Sequence, residues 1–239
     1  MFLVFGESDY PFYYDSEEVS IRIDPSDGFF QYFRKSGDEE IRKVISGKSR
    51  KIVVNPVEPI NLPREVTRFL EVHFTPVAIE PDSGETVYIT FPVEIGVFLE
   101  SKGDFDVLDI FTLSRPKYSL YGPPDEGVIT RYHESAVSGT LPEVDRLKEG
   151  VLALSISNDS RNWVEVTRAV FDCSALFLYY GDCVSLVARM NILSRDIADV
   201  RCEDRPLSDC MKPSVMVTRA RKTLIPDKIP FMMEFGVGD

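Results

Sequence analysis

Three carboxylates and one imidazole lie within a short reach of sequence in KYSLYGPPDEGVITRYHES, residues 117–135. His133 is the one ring there that titrates near neutral pH, and Asp125, Glu126 or Glu134 could orient it or work as a carboxyl pair. That is the equipment of a hydrolase or a carbohydrate-active enzyme. Asp125 and Glu126 are adjacent, however, and in a turn they point apart. Glu134 follows His133 directly, so an extended backbone sends the two to opposite faces. The competing reading makes His133 a satisfied rim histidine, with Tyr118, Tyr121, Arg131 and Tyr132 as non-catalytic ligand contacts.

Such a stretch needs elements to hold it. Gly122-Pro123-Pro124-Asp125-Glu126-Gly127 must turn, because two prolines fix φ and the glycines relieve the corners. The turn lies between DVLDIFTLS, which alternates like a strand, and TLPEVDRLKEG (140–150). The latter predicts a short helix with Thr140 as N-cap, Glu143 closing the capping box and Gly150 as the stop. SRDIAD, after Ser194, suggests a second. PREVTRFLE reads as either a helical turn or the opening of a strand.

Elsewhere the period is near two. Val19, Ile21 and Ile23 share one face, as do Leu70, Val72 and Phe74; Val93, Ile95, Val97 and Leu99; Leu152, Leu154 and Ile156; and Val184, Leu186, Ala188, Met190 and Ile192. This alternation belongs to sheets covered on one side. Asp24–Gly28, Pro81–Gly84, Asn158–Arg161 and Gly181-Asp182 punctuate the runs, and their shortness favours antiparallel hairpins. The expectation is an all-β fold, a predominantly antiparallel two-sheet sandwich with one or two short helices. It reads as a single domain over 1–239, with a possible N-terminal subdomain, 1–60, packed on a main sandwich, 64–235. The prolines of VNPVEPINLP (54–63) suit an extended crossover or a sheet edge.

The formal net charge is −12, of which 16 Lys/Arg against 27 Asp/Glu fall in residues 1–150. That field repels phosphate backbones and disfavours nucleic acid. Arg42, Lys43, Lys48, Arg50 and Lys51 form a local basic exception, read as a weak anion site or a solvated turn. The opening MFLVFGESDYPF has no basic leader and its apolar run stops at Gly6. No stretch reaches about 18 apolar residues. Both point to a soluble cytoplasmic protein with no membrane insertion.

No elbow, phosphate cradle, dinucleotide fingerprint or zinc-binding histidine pair occurs. The cysteines, at 173, 183, 202 and 210, form no CxxC pair. Cys202 and Cys210 bracket CEDRPLSDC, which a disulfide could staple; Cys173 and Cys183 read as core or turn residues. His73 reads as an exposed strand residue, Trp163 as partly buried against the core, and the acidic tract from Glu7 to Glu18 as solvated surface, since it lacks calcium-loop spacing. No metal or cofactor is expected.

VNPVEPINLP (54–63), FPVEIGVFLE (91–100), KYSLYGPPDEGVITRY (117–132), RLKEGVLALSISN (146–158), WVEVTRAVFD (163–172) and EDRPL (203–207) together resemble an uncharacterised archaeal protein family, a domain of unknown function. The resemblance implies that intracellular disulfides could persist. It carries over no activity, cofactor or catalytic residue. The reading from the residues alone is therefore a non-catalytic β-sandwich module that binds a protein partner or itself, with the rim hydrolase as the alternative.

Overall fold

The computed structural model describes residues 4–48, 50–63, 66–217 and 231–233. Its strands, in chain order, are β1 (Gly6–Asp9), β2 (Phe12–Asp15), β3 (Val19–Ser26), β4 (Phe29–Ser36), β5 (Glu39–Ile45), β6 (Lys51–Val57), β7 (Phe69–Ile79), β8 (Ser83–Pro92), β9 (Glu94–Ser101) and β10 (Asp104–Phe111). There follow β11 (Tyr118–Tyr121), β12 (Val128–Ser135), β13 (Glu149–Asn158), β14 (Val164–Asp172), β15 (Tyr179–Tyr180), β16 (Val184–Ser194), β17 (Ile197–Glu203), β18 (Lys212–Pro213) and β19 (Phe231–Met233). The all-β, mostly antiparallel sandwich is present, divided among four sheets instead of two.

The first sheet is the order β1-β6-β9-β10, the second β11-β12-β7-β14, and the third β18-β15-β16-β13-β8 with β17 beside β16. The fourth is the meander β2-β3-β4-β5. Parallel pairing occurs between β12 and β7 and between β13 and β16. Each of these pairs is joined by a long connection that passes through other sheets, which a parallel return requires.

The expected core faces are buried: Val19, Ile21 and Ile23 on β3, Leu70, Val72 and Phe74 on β7, and Leu152, Leu154 and Ile156 on β13 lie in one cluster. β9 goes further. Phe98, on its other face, packs with Val53, Val57 and Val217, so this strand is covered on both sides. Pro56, on interior strand β6, pairs with Ile95 beyond the last residue that β1 covers, Val54. Its missing amide therefore interrupts none of the pairing with β1.

Two turns expected to close hairpins are corners instead. β7 pairs with β12 and β14 whereas β8 pairs with β13, so Glu80–Asp82 carries the chain between sheets. The loop from β13 to β14 makes the return crossing. The buried Asn158 ties both corners: its Nδ2 donates to Ile79 O (3.0 Å) and Asn162 O (2.8 Å), and its Oδ1 accepts from Ser160 N (3.0 Å).

No helix forms at 140–150. Asp145 makes a tight turn, its carbonyl accepting from Lys148 N and Glu149 N (both 2.8 Å). Asp145 Oδ1 accepts from Leu147 N (3.1 Å). Gly150 stops nothing; it lies in β13 under the Phe91 ring, where an added Cβ would come within 2.4 Å. After Ser194 a tight turn joins β16 to β17, so that helix is also absent. A 3-10 turn at Cys173–Ala175 follows β14, capped by Asp172. In PREVTRFLE, Arg64 and Glu65 lie outside the described residues and Phe69 opens β7; Trp163 is 63% exposed, not packed on the core. Among the described residues no helix is long and apolar enough to cross a membrane.

The meander meets the rest of the fold through charge as well as grease. Arg34, on β4, donates from Nε to Asp109 Oδ2 (2.7 Å), and the Tyr32 hydroxyl donates to the same oxygen (2.8 Å). Asp109→Ala strands a buried guanidinium and a buried hydroxyl, and is expected to cost about 3–5 kcal/mol. Urea denaturation checks it: the midpoint falls with an unchanged slope, whereas Val44→Ala, at an exposed position, shifts it by less than about 0.5 kcal/mol.

Candidate functional site

The hairpin of β11 and β12 turns tightly at its tip. Pro123 O accepts from Glu126 N (3.2 Å) and Gly127 N (2.6 Å). Residue 127 must be glycine, because a Cβ would sit 2.7 Å from Pro123 O and 2.9 Å from Tyr121 O. Asp125 and Glu126 stand exposed at this tip. His133 lies five residues beyond Val128, roughly 16 Å along the strand. The three candidate catalytic residues do not converge.

From Thr130 onward, alternation divides β12 between two networks. Thr130, Tyr132 and Glu134 face one side. There Glu71, on β7 and 1% exposed, accepts at Oε2 from Ser119 Oγ (2.5 Å) and Thr130 Oγ1 (2.7 Å). Its Oε1 accepts from Arg168 Nη1 (3.1 Å) and pairs with His73 Nε2 (2.7 Å). Ser119, Thr130, Glu71 and Arg168 come one each from β11, β12, β7 and β14. Burial pushes the Glu71 carboxyl up, but the Ser119 and Thr130 hydroxyls and the His73 ring prevail and hold it below its usual value. The Tyr132 ring lies 5.0 Å from that of His73, and its hydroxyl donates to Glu134 Oε1 (2.7 Å). This bond, with burial, pushes the Tyr132 phenol up to about 12.

Arg131, His133 and Ser135 face the other side. His133 Nε2 bonds Thr90 Oγ1 (2.8 Å), and Thr90 N donates to Ser135 Oγ (2.7 Å). Burial pushes the His133 imidazole down to about 4, with help from Arg131 and Lys117. Glu94, fully buried on β9, accepts from Asn61 N (3.0 Å) and Leu62 N (3.3 Å), while Leu62 O accepts from the Tyr118 hydroxyl (3.1 Å). Burial pushes the Glu94 carboxyl up to about 8, against the Asn61 amide and the nearby Arg131 charge that pull it down. Arg131 is 2% exposed, with its guanidinium 5.8 Å from the Tyr118 ring centre. Its Nε and Nη1 have no hydrogen-bond partner among the described residues.

Of the four expected ligand contacts, then, Tyr118 and Arg131 meet on one face. Tyr121 and Tyr132 belong to the other. The basic group also disperses: Arg42 lies over Phe33 at 4.9 Å, Arg50 lies over Phe30 at 5.4 Å, Lys43 bonds Leu108 O, and Lys51 pairs with Glu7. Lys48 stands exposed in the turn between β5 and β6. His73 is half-buried in the Glu71 network. All four cysteines are free thiols, with no Cys202–Cys210 bond. Burial raises Cys173 well above its usual value and Cys202 to about 12, which disfavours a thiolate nucleophile. Among the described residues no group of three or more His, Cys, Asp or Glu is placed to hold a metal ion.

Reading residue types missed Glu71, Glu94, Ser119, Thr130 and Arg168. Glu71 occupies the polar side of an alternating strand, where an acid reads as solvated. Glu94 did leave a signal: it interrupts an apolar run, between Val93 and Ile95.

These features define an all-β protein of sandwich type whose buried polar side chains join strand to strand. Residues 4–234 match the family described as "Protein of unknown function (DUF432)", and the chain belongs to that family. No curated protein and no solved structure matches it.

The two shifted groups on the Arg131 face oppose each other in pH. With a folded value of about 8 against an ordinary 4.5, Glu94 loses stability as pH rises between them. With about 4 against 6.5, His133 loses stability as pH falls through that range. From pH 6.5 to 8 only Glu94 acts, so stability should decline there. Glu94→Gln should remove the decline in urea midpoint; an unchanged decline in that variant contradicts the assignment.

Proposed function

We propose that this protein is a non-catalytic β-sandwich module that associates with protein through the free edge of β11, a second copy of the chain being the simplest partner. The observation that supports it most is a cross-strand pair: Leu120 and Ile129 lie opposite each other, 47% and 50% exposed. Tyr118 extends the apolar surface along the same face. Among the described residues no strand pairs with the outer side of β11. Tyr132 N donates to Lys117 O (2.9 Å), so by alternation the amides of Tyr118 and Leu120 point away from β12. An apolar edge with outward amides is a template for adding a strand, from another copy or from a different protein.

The hydrolase alternative lacks comparable support. Asp125 and Glu126 lie far from His133, and a general base works best with a proton affinity near the operating pH. His133, pushed down to about 4, is a neutral hydrogen-bond partner for Thr90 at pH 7. The proposal further takes 1–239 as one folding unit, because residues on both sides of 60 share one core cluster. It places the protein in the cytoplasm, where an exposed thiol such as Cys210 stays reduced.

Light scattering over a wide concentration range tests the association. The wild-type chain should form a dimer whose affinity falls at least about tenfold in Leu120→Asp, a change at an exposed site that leaves the circular dichroism intact. A strictly monomeric wild type that retains no partner from its native lysate, or an L120D variant that associates undiminished, overturns the reading.

A further inference from the structure

A groove of about 790 Å³ opens where the first and third sheets meet, away from the β11 edge. The segment from Lys212 to Val215 builds it by bonding both sides. Ser214 N donates to Leu178 O (2.8 Å), and Val215 N donates to Asn55 Oδ1 (2.9 Å). These bonds hold the β15 side and the β6 side apart at a fixed width. The volume is that of a small-molecule site.

The lining chemistry is one-sided. Phe105, Phe177, Tyr179 and Tyr180 are among the residues that line the groove. Asp104, at the start of β10, and Asp204, just after β17, bring carboxylates from the two different sheets. Asp204 Oδ1 accepts from the Tyr179 hydroxyl (2.8 Å), which fixes the carboxylate and leaves Oδ2 for a further donor. Glu7 also lines the groove and is already paired with Lys51. No Lys or Arg is among the described lining residues. Aromatic faces and carboxylates both attract cations, and neither suits an anion. The net charge of −12 adds attraction at long range.

We propose that this groove binds a linear aliphatic polyamine, its ammonium groups on Asp104 and Asp204 and its methylene chain along the aromatic wall. A flexible chain with separated ammonium groups matches carboxylates brought from two sheets to one groove that aromatic residues also line. Such a chain offers donors at intervals and apolar surface between them.

Titration calorimetry of the full chain with spermidine tests this, with an uncharged diol of matched length as the control ligand. One saturable site is expected for spermidine and none for the diol. Asp104→Asn and Asp204→Asn should each weaken binding about tenfold, as for the loss of one charge-assisted hydrogen bond. Asp104 is exposed, so its variant stays informative if Asp204→Asn fails to fold. Asp125→Asn, at the remote hairpin tip, should leave the affinity unchanged. Absence of saturation overturns the proposal. So does an equal loss in D125N, which would mark diffuse attraction to an acidic surface. A lysine-rich peptide that binds the groove more tightly than spermidine would also overturn it, assigning the site to a polypeptide.

Discussion

One carboxylate holds four strands. Glu71 is buried and accepts hydrogen bonds from Ser119 on β11, Thr130 on β12 and Arg168 on β14, with His73 of its own strand completing the set. Hydrogen bonds to a charged group contribute about 1.5–3 kcal/mol each, and a buried carboxylate stripped of them is strongly unfavourable. The network therefore acts as a joint that is either whole or very costly. β11 depends on it most, being a four-residue strand that, among the described residues, pairs on one side only. The apolar pair of Leu120 and Ile129 can face outward on a rigid hairpin because Ser119 and Thr130, next to them on the opposite face, are pinned.

The same device recurs at other junctions. Asn158 closes the two corners between the second and third sheets, Asp109 receives Arg34 and Tyr32 from the meander, and Glu94 gathers the backbone of Asn61 and Leu62. A greasy interface alone tolerates sliding, since contact between apolar faces is non-directional. A buried polar group with directed bonds does not, and here such groups lie where chain segments distant in sequence must keep one register. The sandwich is thus filled by apolar alternation and aligned by a few buried charges and amides.

The apolar part of this was legible in the sequence. Val184, Leu186, Ala188, Met190 and Ile192 are all buried, as their spacing requires. The helix expected at 140–150 failed because Asp145, in the middle of the segment, bonds the turn that follows it, and Gly150 is needed as space for Phe91. The corner at Glu80–Asp82 looked like a hairpin because turn chemistry is local, whereas the choice of partner strand is not. The candidate site was legible only in part. Tyr118 and Arg131 do meet, but nothing in a single strand tells a solvated glutamate from Glu71, whose partners come from three other strands.

Amide hydrogen exchange in Glu71→Ala is the most direct test of this account. If Glu71 is the joint, amides of β11 and β12 should lose protection about a hundredfold or more, the expected scale for breaking a buried charged network, while those of β3 and β4 keep theirs. Unchanged protection in β11 and β12, or an equal loss through all four sheets, would contradict it.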